Sequence, residues 1–233
     1  PEEHFFPWSP DSPFLYDLTV GTTQGEEESF DTVHSYFALR KWSCAPDARG
    51  VLRFCLNDRP LLLNGLLDQG YWPEGLYTPP SDAAVVHELQ TIKELGFNLL
   101  RKHAKIEPQR WYYHCDKLGL IVWQDMVNGG ESYRLWFVTY LTNILQPLLR
   151  KLPALRGLLS RRSAASREEY SRELEATVEA LRGHPCIGCW VPFNEGWGQF
   201  DAAQAVETLR TLDPDRLVDE ASGWYDQGGG DVD

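Results

Sequence analysis

An Asn-Glu pair at the end of a strand-like run is the part of the sequence best suited to chemistry. Residues 186–190 read Cys-Ile-Gly-Cys-Trp, and residues 191–199 read Val-Pro-Phe-Asn-Glu-Gly-Trp-Gly-Gln. Aromatic rings stack on pyranose rings, amides bind hydroxyl groups, and a sheltered carboxylic acid can protonate a glycosidic oxygen. The pattern therefore predicts a sugar site with Glu195 as the acid. The alternative is a Glu195 carboxylate that bridges to Arg101 inside the fold.

The composition restricts the class of protein. The chain has 233 residues, of which 42% are hydrophobic, so it can bury a substantial core. A net charge of −12 argues against a nucleic-acid or anionic-membrane partner, because such partners need a basic surface. Nine Trp and ten Tyr favour a neutral ring-shaped ligand, although most aromatic residues belong to the core. The five scattered cysteines favour reduced thiols, which suits a cytoplasmic location without fixing it.

The two ends of the sequence carry little structural signal. The chain begins at Pro1 without a recognisable signal peptide, and its last residues, 227–233, read Gln-Gly-Gly-Gly-Asp-Val-Asp. We therefore expect the sequence to be a segment of a longer protein.

Two short motifs imitate metal or redox sites. Cys186 and Cys189 have the spacing of a redox or zinc motif, but no second pair completes four ligands and the segment continues as a strand. A thiol–disulfide protein is therefore the weaker alternative. His87 and Glu88 begin a zinc-protease pattern, but Thr91 stands where the second His should be. We expect no metal site.

The order of predicted elements indicates two architectures in succession. Before residue 45, strands at 14–20 and 33–39 flank a turn-rich stretch, which is typical of the last strands of a β-sandwich. From about residue 51, strands alternate with helices, and this alternation requires a parallel sheet. The predicted strands are 61–67, 98–101, 120–123, 187–193 and 217–220, and the predicted helices follow Ser81 and begin at Pro108, Tyr170 and Phe200.

Polar residues gather where the predicted parallel strands end. An open doubly wound sheet would show a Gly-rich phosphate loop after its first strand, whereas residues 64–68 read Asn-Gly-Leu-Leu-Asp. Polar strand ends are how a (β/α)₈ TIM barrel builds its site. We therefore predict an α/β fold with five of the eight barrel strands at 46–233, after the tail of a β-sandwich at 1–45. The candidate strand-end residues are Asp68, Gln69, Arg101, His103, Gln124, Asp125, Asn194, Glu195, Glu220 and Trp224.

A basic segment interrupts this alternation. Residues 132–167 hold seven Arg or Lys and no Asp or Glu, and the apolar run 135–149 is too short to span a bilayer. We expect an inserted helical loop at about 131–168. A peripheral membrane or partner surface is the alternative.

Taken in order, these motifs resemble glycoside hydrolase family 2, which includes β-galactosidases, β-glucuronidases and β-mannosidases. Residues 8–16 (Trp-Ser-Pro-Asp-Ser-Pro-Phe-Leu-Tyr) and 36–40 (Tyr-Phe-Ala-Leu-Arg) are similar to the end of the immunoglobulin-like domain that precedes the barrel. Four further runs are similar to the first four barrel strands and their approaches: 56–65, 95–101, 115–122 and 184–195.

The resemblance implies a retaining glycosidase that acts on an oligosaccharide or other glycoside and needs no organic cofactor. Glu195 would be the general acid/base, and Asn194 would bind the hydroxyl next to the reacting carbon. The nucleophile would be a glutamate of the seventh strand, beyond Asp233, so we expect this segment alone to be inactive. Glu220 would have a structural or substrate-orienting role. An oligomer is compatible with the sequence.

The departures from the family pattern concern sugar specificity. His103 follows Arg101 by two residues where the family commonly has three, so it either contacts substrate or is a satisfied buried histidine. Asp68 and Asp125 either contact hydroxyls or fix Arg101. Trp197 and Trp224 are candidate stacking residues, with Trp224 alternatively filling the core.

A non-catalytic carbohydrate-binding or scaffold protein is the main alternative function.

Overall fold

A computed structural model of the protein describes residues 5–23, 31–130, 132, 136, 140, 144, 161–223 and 225–232. The strands are β1 (Tyr16–Thr22), β2 (Asp31–Phe37), β3 (Trp42–Pro46), β4 (Leu52–Leu56), β5 (Arg59–Pro60), β6 (Gly65–Asp68), β7 (Leu99–Lys102), β8 (Ile121–Asp125), β9 (Ile187–Val191) and β10 (Leu217–Val218). The helices are α1 (Asp82–Glu94), α2 (Gln109–Leu118), α3 (Ala164–Leu181) and α4 (Ala202–Leu212).

A five-stranded parallel sheet is the centre of the fold. Its order is β10-β9-β8-β7-β6, with every neighbouring pair parallel. The predicted alternation of strands and helices in a barrel sheet is thereby confirmed. Because all five strands run the same way, their carboxyl ends meet at one edge, where loops can bring distant residues together.

Local signals set the ends of the helices. Ser81 Oγ accepts a hydrogen bond from the Ala84 N–H at 3.1 Å and caps α1 as predicted. Gly119 ends α2 with a left-handed φ of 74°, a conformation that glycine adopts without a Cβ penalty. Helix α3 begins earlier than the predicted Tyr170, because Ser163 Oγ accepts from the Ser166 N–H at 3.2 Å and provides an earlier cap.

The main core lies between the parallel sheet and its helices. Four α3 residues recur at helical spacing and are all buried: Tyr170, Leu174, Val178 and Leu181. They belong to one apolar cluster with residues of β7, β8 and β9, such as Leu100, Val122 and Ile187. Fully burying a side chain of this size contributes about 1.5–3 kcal/mol, so this packing holds the strand ends in a fixed arrangement.

Two small antiparallel sheets precede the parallel one. Strands β1 and β2 pair along their whole length, as predicted with slightly different ends. Strands β3, β4 and β5 form a second sheet that we did not predict, in which Asn57 and Asp58 make a two-residue turn with φ of 54° and 62°. The boundary proposed between residues 45 and 46 falls within the β3–β4 hairpin. The domain division and the immunoglobulin-like assignment stay predictions.

A single carboxylate joins the N-terminal residues to the parallel sheet. Asp116 of α2 accepts from Tyr36 Oη at 2.7 Å, lies 2.7 Å from His184 Nδ1 and accepts from the Cys186 N–H at 2.8 Å. Its backbone carbonyl accepts from Trp8 Nε1 at 2.8 Å. Trp8 and Tyr36 are therefore tied to α2, and through Asp116 to the start of β9, by polar contacts.

The basic insertion falls largely outside the described residues. The predicted helical loop at 131–168 is described only at residues 132, 136, 140 and 144 and from Arg161 onward, and its last residues belong to α3. Across the described ranges, no helix combines the length and apolar character needed to cross a membrane.

Candidate active site

Arg101 connects the ends of four parallel strands. Its Nε and Nη2 donate to the two carboxylate oxygens of Asp125, each at 2.9 Å. Nη2 also donates to Oδ1 of Asn194 at 2.9 Å, and Nη1 donates to Oγ of Ser222 at 2.6 Å. Residues from the ends of β7 and β8 and from the loops after β9 and β10 are thus joined by one guanidinium group.

The charges in this cluster stabilise each other. Burial raises the pKa of the Asp125 carboxyl, which is fully buried, and the Arg101 guanidinium opposes that shift. Burial is the largest single influence on Arg101 and would lower its pKa, but its hydrogen bonds to Asp125 and the negative charges of Asp125 and Asp219 together raise the pKa. A bidentate pair of this kind stabilises the ionised form of each group.

Glu195 lies beside this cluster but does not join it. Its main chain has a φ of 51°, and its N–H donates to the Ala221 carbonyl at 3.1 Å. The side chain is exposed. Among the described residues, no ion pair or side-chain hydrogen bond joins Glu195 to Arg101, so the bridging alternative is not observed. The carboxyl group is accessible to a ligand.

Two glycines shape the loop that presents Glu195. A Cβ on Gly196, which has a φ of 76°, would lie 2.2 Å from Cδ2 of Tyr225. A Cβ on Gly198 would lie 2.3 Å from the Asn128 carbonyl oxygen. Both positions therefore require glycine. The loop is tied down further by Gln199, whose Nε2 donates to the Tyr225 carbonyl at 3.1 Å.

The remaining predicted residues are distributed around this cluster. Half-buried Trp197 lies on the same loop as Glu195, and its N–H donates to the Asn194 carbonyl at 2.9 Å. His103 is half-buried, with Nδ1 3.1 Å from Gln69 Nε2. Trp224 lies outside the described residues.

Asp68 does not approach Arg101. Its Oδ2 lies 2.5 Å from Nζ of Lys102, which is fully buried and also donates to Glu107 at 2.9 Å. Asp68 and Lys102 are register partners in β6 and β7, so both point to the face opposite Arg101. Asp68 therefore does not fix Arg101, and of these two carboxylates Asp125 is the one that holds it.

Gln124 also points away from the cluster. Its Oε1 accepts from Tyr112 Oη at 2.6 Å, and its Nε2 donates to the Lys105 carbonyl at 2.8 Å. Gln124 is fully buried against α2, which makes it a structural residue of the helix-facing side.

Glu220 has a structural environment. The residue is 1% exposed, and its carboxylate oxygens accept from the N–H groups of Gln227 at 2.8 Å and Gly229 at 2.5 Å. Burial raises the pKa of this carboxyl group, and the backbone donors oppose the shift. Glu220 therefore fixes the loop after β10.

The sequence did not single out Ser222. Its Oγ accepts from Arg101, its N–H donates to Asp219 Oδ1 at 2.8 Å, and its φ is 54°. The signal available in the sequence was a small polar residue just beyond a strand end, which is too common to be informative.

The cysteine pair lacks the environment of a redox site. Cys186 and Cys189 are free thiols with no exposed surface. Burial raises the pKa of both thiols, which disfavours the reactive thiolate. Within the described part of the chain, no three His, Cys, Asp or Glu side chains are arranged to hold a metal ion.

Comparisons with known proteins identify a family for this chain. Residues 52–227 match the family model described as "Glycosyl hydrolases family 2, TIM barrel domain". An exo-beta-D-glucosaminidase from Amycolatopsis orientalis is 28% identical over 130 residues, covering 52% of this chain and 12% of the relative. A beta-galactosidase from Leuconostoc mesenteroides is 26% identical over 227 residues, covering 97% and 18%. A putative beta-glucuronidase from Formosa agariphila is 25% identical over 218 residues, covering 93% and 18%.

Solved structures show the same fold. The beta-glucuronidase of Parabacteroides merdae matches with a TM-score of 0.67 at 18% identity, covering 91% of this chain and 24% of that one. A beta-D-glucuronidase from Dictyoglomus thermophilum matches with a TM-score of 0.70 at 15% identity, covering 91% and 34%. The chain thus spans less than a fifth of those three sequence relatives and about a quarter to a third of these structures.

Proposed function

The chain belongs to family 2 of the glycosyl hydrolases, and we propose that it forms part of a glycosidase that cleaves O-glycosidic bonds of β-linked sugars with retention of configuration. The observation that carries this proposal is the arrangement of Arg101, Asn194 and Glu195. An ordered amide and an accessible carboxyl group stand next to each other at the carboxyl edge of the parallel sheet.

In this proposal Glu195 acts as general acid and then as general base. It protonates the leaving oxygen while a second carboxylate attacks the anomeric carbon, and it then removes a proton from the water that releases the sugar. We propose that the second carboxylate comes from a part of the barrel outside these 233 residues. Glu220 is unsuited to that role because both of its oxygens accept backbone N–H groups.

Asn194 orients the sugar. Its Oδ1 accepts from Arg101, so its Nδ2 group is the donor that can bind the hydroxyl next to the reacting carbon. Asp125 contributes indirectly, because it holds Arg101 through two hydrogen bonds. Trp197, Trp224 and His103 are proposed to contact the sugar around this centre.

The names of the relatives support a β-linked substrate. Those that the chain matches are called exo-beta-D-glucosaminidase, beta-galactosidase and putative beta-glucuronidase, which differ in the sugar removed. Because these relatives are named for different sugars, the identity of the sugar is left to experiment.

The test uses the longer protein that contains this chain and a panel of β-linked galactosides, glucuronides, mannosides and glucosaminides. We expect Glu195→Gln to lower kcat on a disaccharide by about 10²-fold, the usual scale for a positioned acid–base group. An activated aryl glycoside should be spared in the first step, because its leaving group needs no proton. Glu207→Gln, an exposed change on α4, is the matched control.

Azide provides a second measurement. It needs no proton removed before it attacks, so it should restore turnover of the aryl glycoside in Glu195→Gln and give a β-configured glycosyl azide. Undiminished disaccharide hydrolysis by Glu195→Gln would reject the assignment. Sugar binding without hydrolysis by the wild-type protein would favour the carbohydrate-binding alternative.

A further inference from the structure

The loop between β6 and α1 carries an exposed aromatic surface. The rings of Tyr71 and Tyr77 have centroids 4.7 Å apart, and their hydroxyl oxygens are 2.6 Å apart. Both side chains are largely exposed, at 60% and 56%, and the neighbouring Leu76 is 69% exposed. Tyr71, Leu76 and Tyr77 are called the tyrosine platform below.

Buried groups hold this platform in one conformation. Trp72 and Leu76 exchange backbone hydrogen bonds of 2.7 and 2.9 Å, which close the loop beneath the exposed side chains. Lys105, which is 7% exposed, donates from Nζ to the carbonyls of Gly70 at 2.7 Å and Tyr77 at 2.8 Å. The same Nζ pairs with Glu107 at 2.8 Å. A buried ammonium group thus fixes both ends of an exposed apolar loop.

The backbone of the platform is strained as well as fixed. Leu76 has a φ of 54°, a left-handed conformation that leucine rarely adopts. The conformation leaves the leucine side chain in solvent, so burial of that side chain does not compensate for the strain. Backbone strain that is retained together with an exposed apolar surface is typical of a binding site.

The platform adjoins the candidate active site. Gln69, which begins the loop, lies 3.1 Å from the ring of His103, the residue after β7. His103 is near enough to Asp125 for its charge to lower the pKa of that carboxyl group, against the larger effect of burial. The Gln69–His103 contact therefore ties the start of the platform loop to the residue that follows β7 at the carboxyl edge of the sheet.

We propose that the tyrosine platform binds a sugar ring on the leaving-group side of the scissile bond. This inference rests on the proposed glycosidase function. In that function, Asn194 holds the sugar ring that is cleaved off, and the half-buried Arg101 fixes the Asn194 amide. The platform, in contrast, is exposed. Asn194 and the platform follow two strands of the same parallel sheet, so a ligand longer than the cleaved ring can extend from Asn194 toward the platform. Aromatic faces bind an uncharged ring through apolar contact, and the tyrosine hydroxyls can bind its hydroxyl groups.

Two substrates that share the cleaved sugar test the proposal. The sugar is first chosen from the β-glycoside panel, and its methyl β-glycoside is then compared with its β-linked disaccharide. In the longer protein, Tyr71→Ala/Tyr77→Ala should raise the KM of the disaccharide roughly tenfold, the scale of losing an aromatic anchor. The KM of the methyl glycoside should stay within about twofold, because the methyl group does not reach the platform.

Matched variants separate binding from general damage. Leu95→Ala removes a side chain of similar exposure at the amino-terminal approach to β7 and should leave both KM values unchanged. Tyr71→Phe/Tyr77→Phe keeps the ring faces and should retain most of the affinity for the disaccharide. If the double alanine variant fails to fold, Tyr71→Ala alone gives the same comparison. Equal effects on the two substrates, or no effect on either, would overturn the proposal.

A binding measurement makes this inference independent of turnover. Calorimetry with the β-linked disaccharides and the Glu195→Gln variant should show weaker binding when the platform tyrosines are replaced by alanine. An unchanged Kd would overturn the platform even if hydrolysis is observed. A wild-type protein that hydrolyses nothing, but binds a disaccharide through the platform, would reject the glycosidase proposal alone.

Discussion

Arg101 donates to Oδ1 of Asn194 across 2.9 Å. This bond sets which end of the Asn194 amide is left to meet a ligand, because the oxygen is already engaged and only the NH2 group can still donate. The guanidinium is itself held by Asp125. Under the proposed function, Asp125 is therefore a positioning residue that would act on the substrate through Arg101.

The first prediction concerns Asp125→Asn. The change leaves Arg101 half-paired beside a buried amide, and breaking a buried pair costs about 3–5 kcal/mol. We expect Asp125→Asn to lower the free energy of unfolding by about 2–3 kcal/mol. The loss is smaller than the usual range because the Arg101 side chain retains 20% exposure. Urea unfolding measures the loss, and kcat/KM should fall at least about tenfold as Asn194 loses its orientation. Asp58→Asn, which removes an exposed pair with Lys41, is the control; equal losses from the two changes would contradict the prediction.

The second prediction compares Gly196→Ala with Gly223→Ala. Both positions have positive φ, at 76° and 83°, but only the Cβ at Gly196 meets another group, the ring of Tyr225. Gly223→Ala should lower the free energy of unfolding by about 1–2 kcal/mol, the cost of the left-handed conformation. Gly196→Ala should lower it further and also reduce kcat, because Glu195 must move. Gly196→Ala should cost less stability in a Tyr225→Ala background than in the wild-type protein; an equal cost in both would show that the ring contact is unimportant.

The third prediction separates Glu220 from Glu195. Glu220→Gln should lower kcat less than about tenfold, against about 10²-fold for Glu195→Gln. Because burial raises the pKa of Glu220, the folded state binds its proton more tightly than the unfolded state does. Ionisation of Glu220 therefore costs stability as pH rises above about 4.3, the unperturbed pKa.

The glutamine variant lacks this titration, so its pH dependence supplies the check. Urea unfolding gives the free energy of unfolding of the wild-type protein and of Glu220→Gln from pH 4 to pH 7. The amount by which the wild-type value exceeds that of the variant should decrease as the pH rises across that range. An advantage that widens with pH would mean that the folded pKa is lowered instead.

The fourth prediction concerns the thiols. Cys186 and Cys189 should react slowly with a thiol reagent in the native protein, because both are buried with raised pKa values. Half-buried Cys44 should react first, and all five cysteines should react in urea. Rapid modification of Cys186 or Cys189, identified by mass spectrometry, would revive the thiol–disulfide alternative.

The sequence predicted those features that depend on local signals. Ser81 and Gly119 marked helix ends by their chemistry, and the strand–helix alternation required parallel strands whose ends meet. That requirement is why Arg101, Asp125 and Asn194 could be grouped before any contact was known. The side of the sheet that each residue faces was harder to predict, because successive strand residues point in opposite directions. Asp68 consequently pairs with Lys102 on the face opposite Arg101.

Other features depend on contacts between distant residues. Ser222 meets Arg101 across 121 positions of sequence, and no local pattern announces that bond. The β3–β4–β5 sheet was missed in part because β5, its last strand, has only two residues. The tyrosine platform was also missed, since two tyrosines six residues apart in a loop show no periodicity.

The Asp116 carboxylate has a consequence for how the protein unfolds. One of its oxygens meets Tyr36 of β2 and the other holds the N–H of Cys186, immediately before the strand that leads to Glu195. If the β1–β2 hairpin separated from the rest of the chain, the buried Asp116 carboxyl group would lose the hydrogen bond from Tyr36. The start of β9 would loosen at the same time. The hairpin and the strand that leads to Glu195 are thus expected to unfold together, so that in the proposed glycosidase heat would abolish catalysis and N-terminal packing at the same temperature.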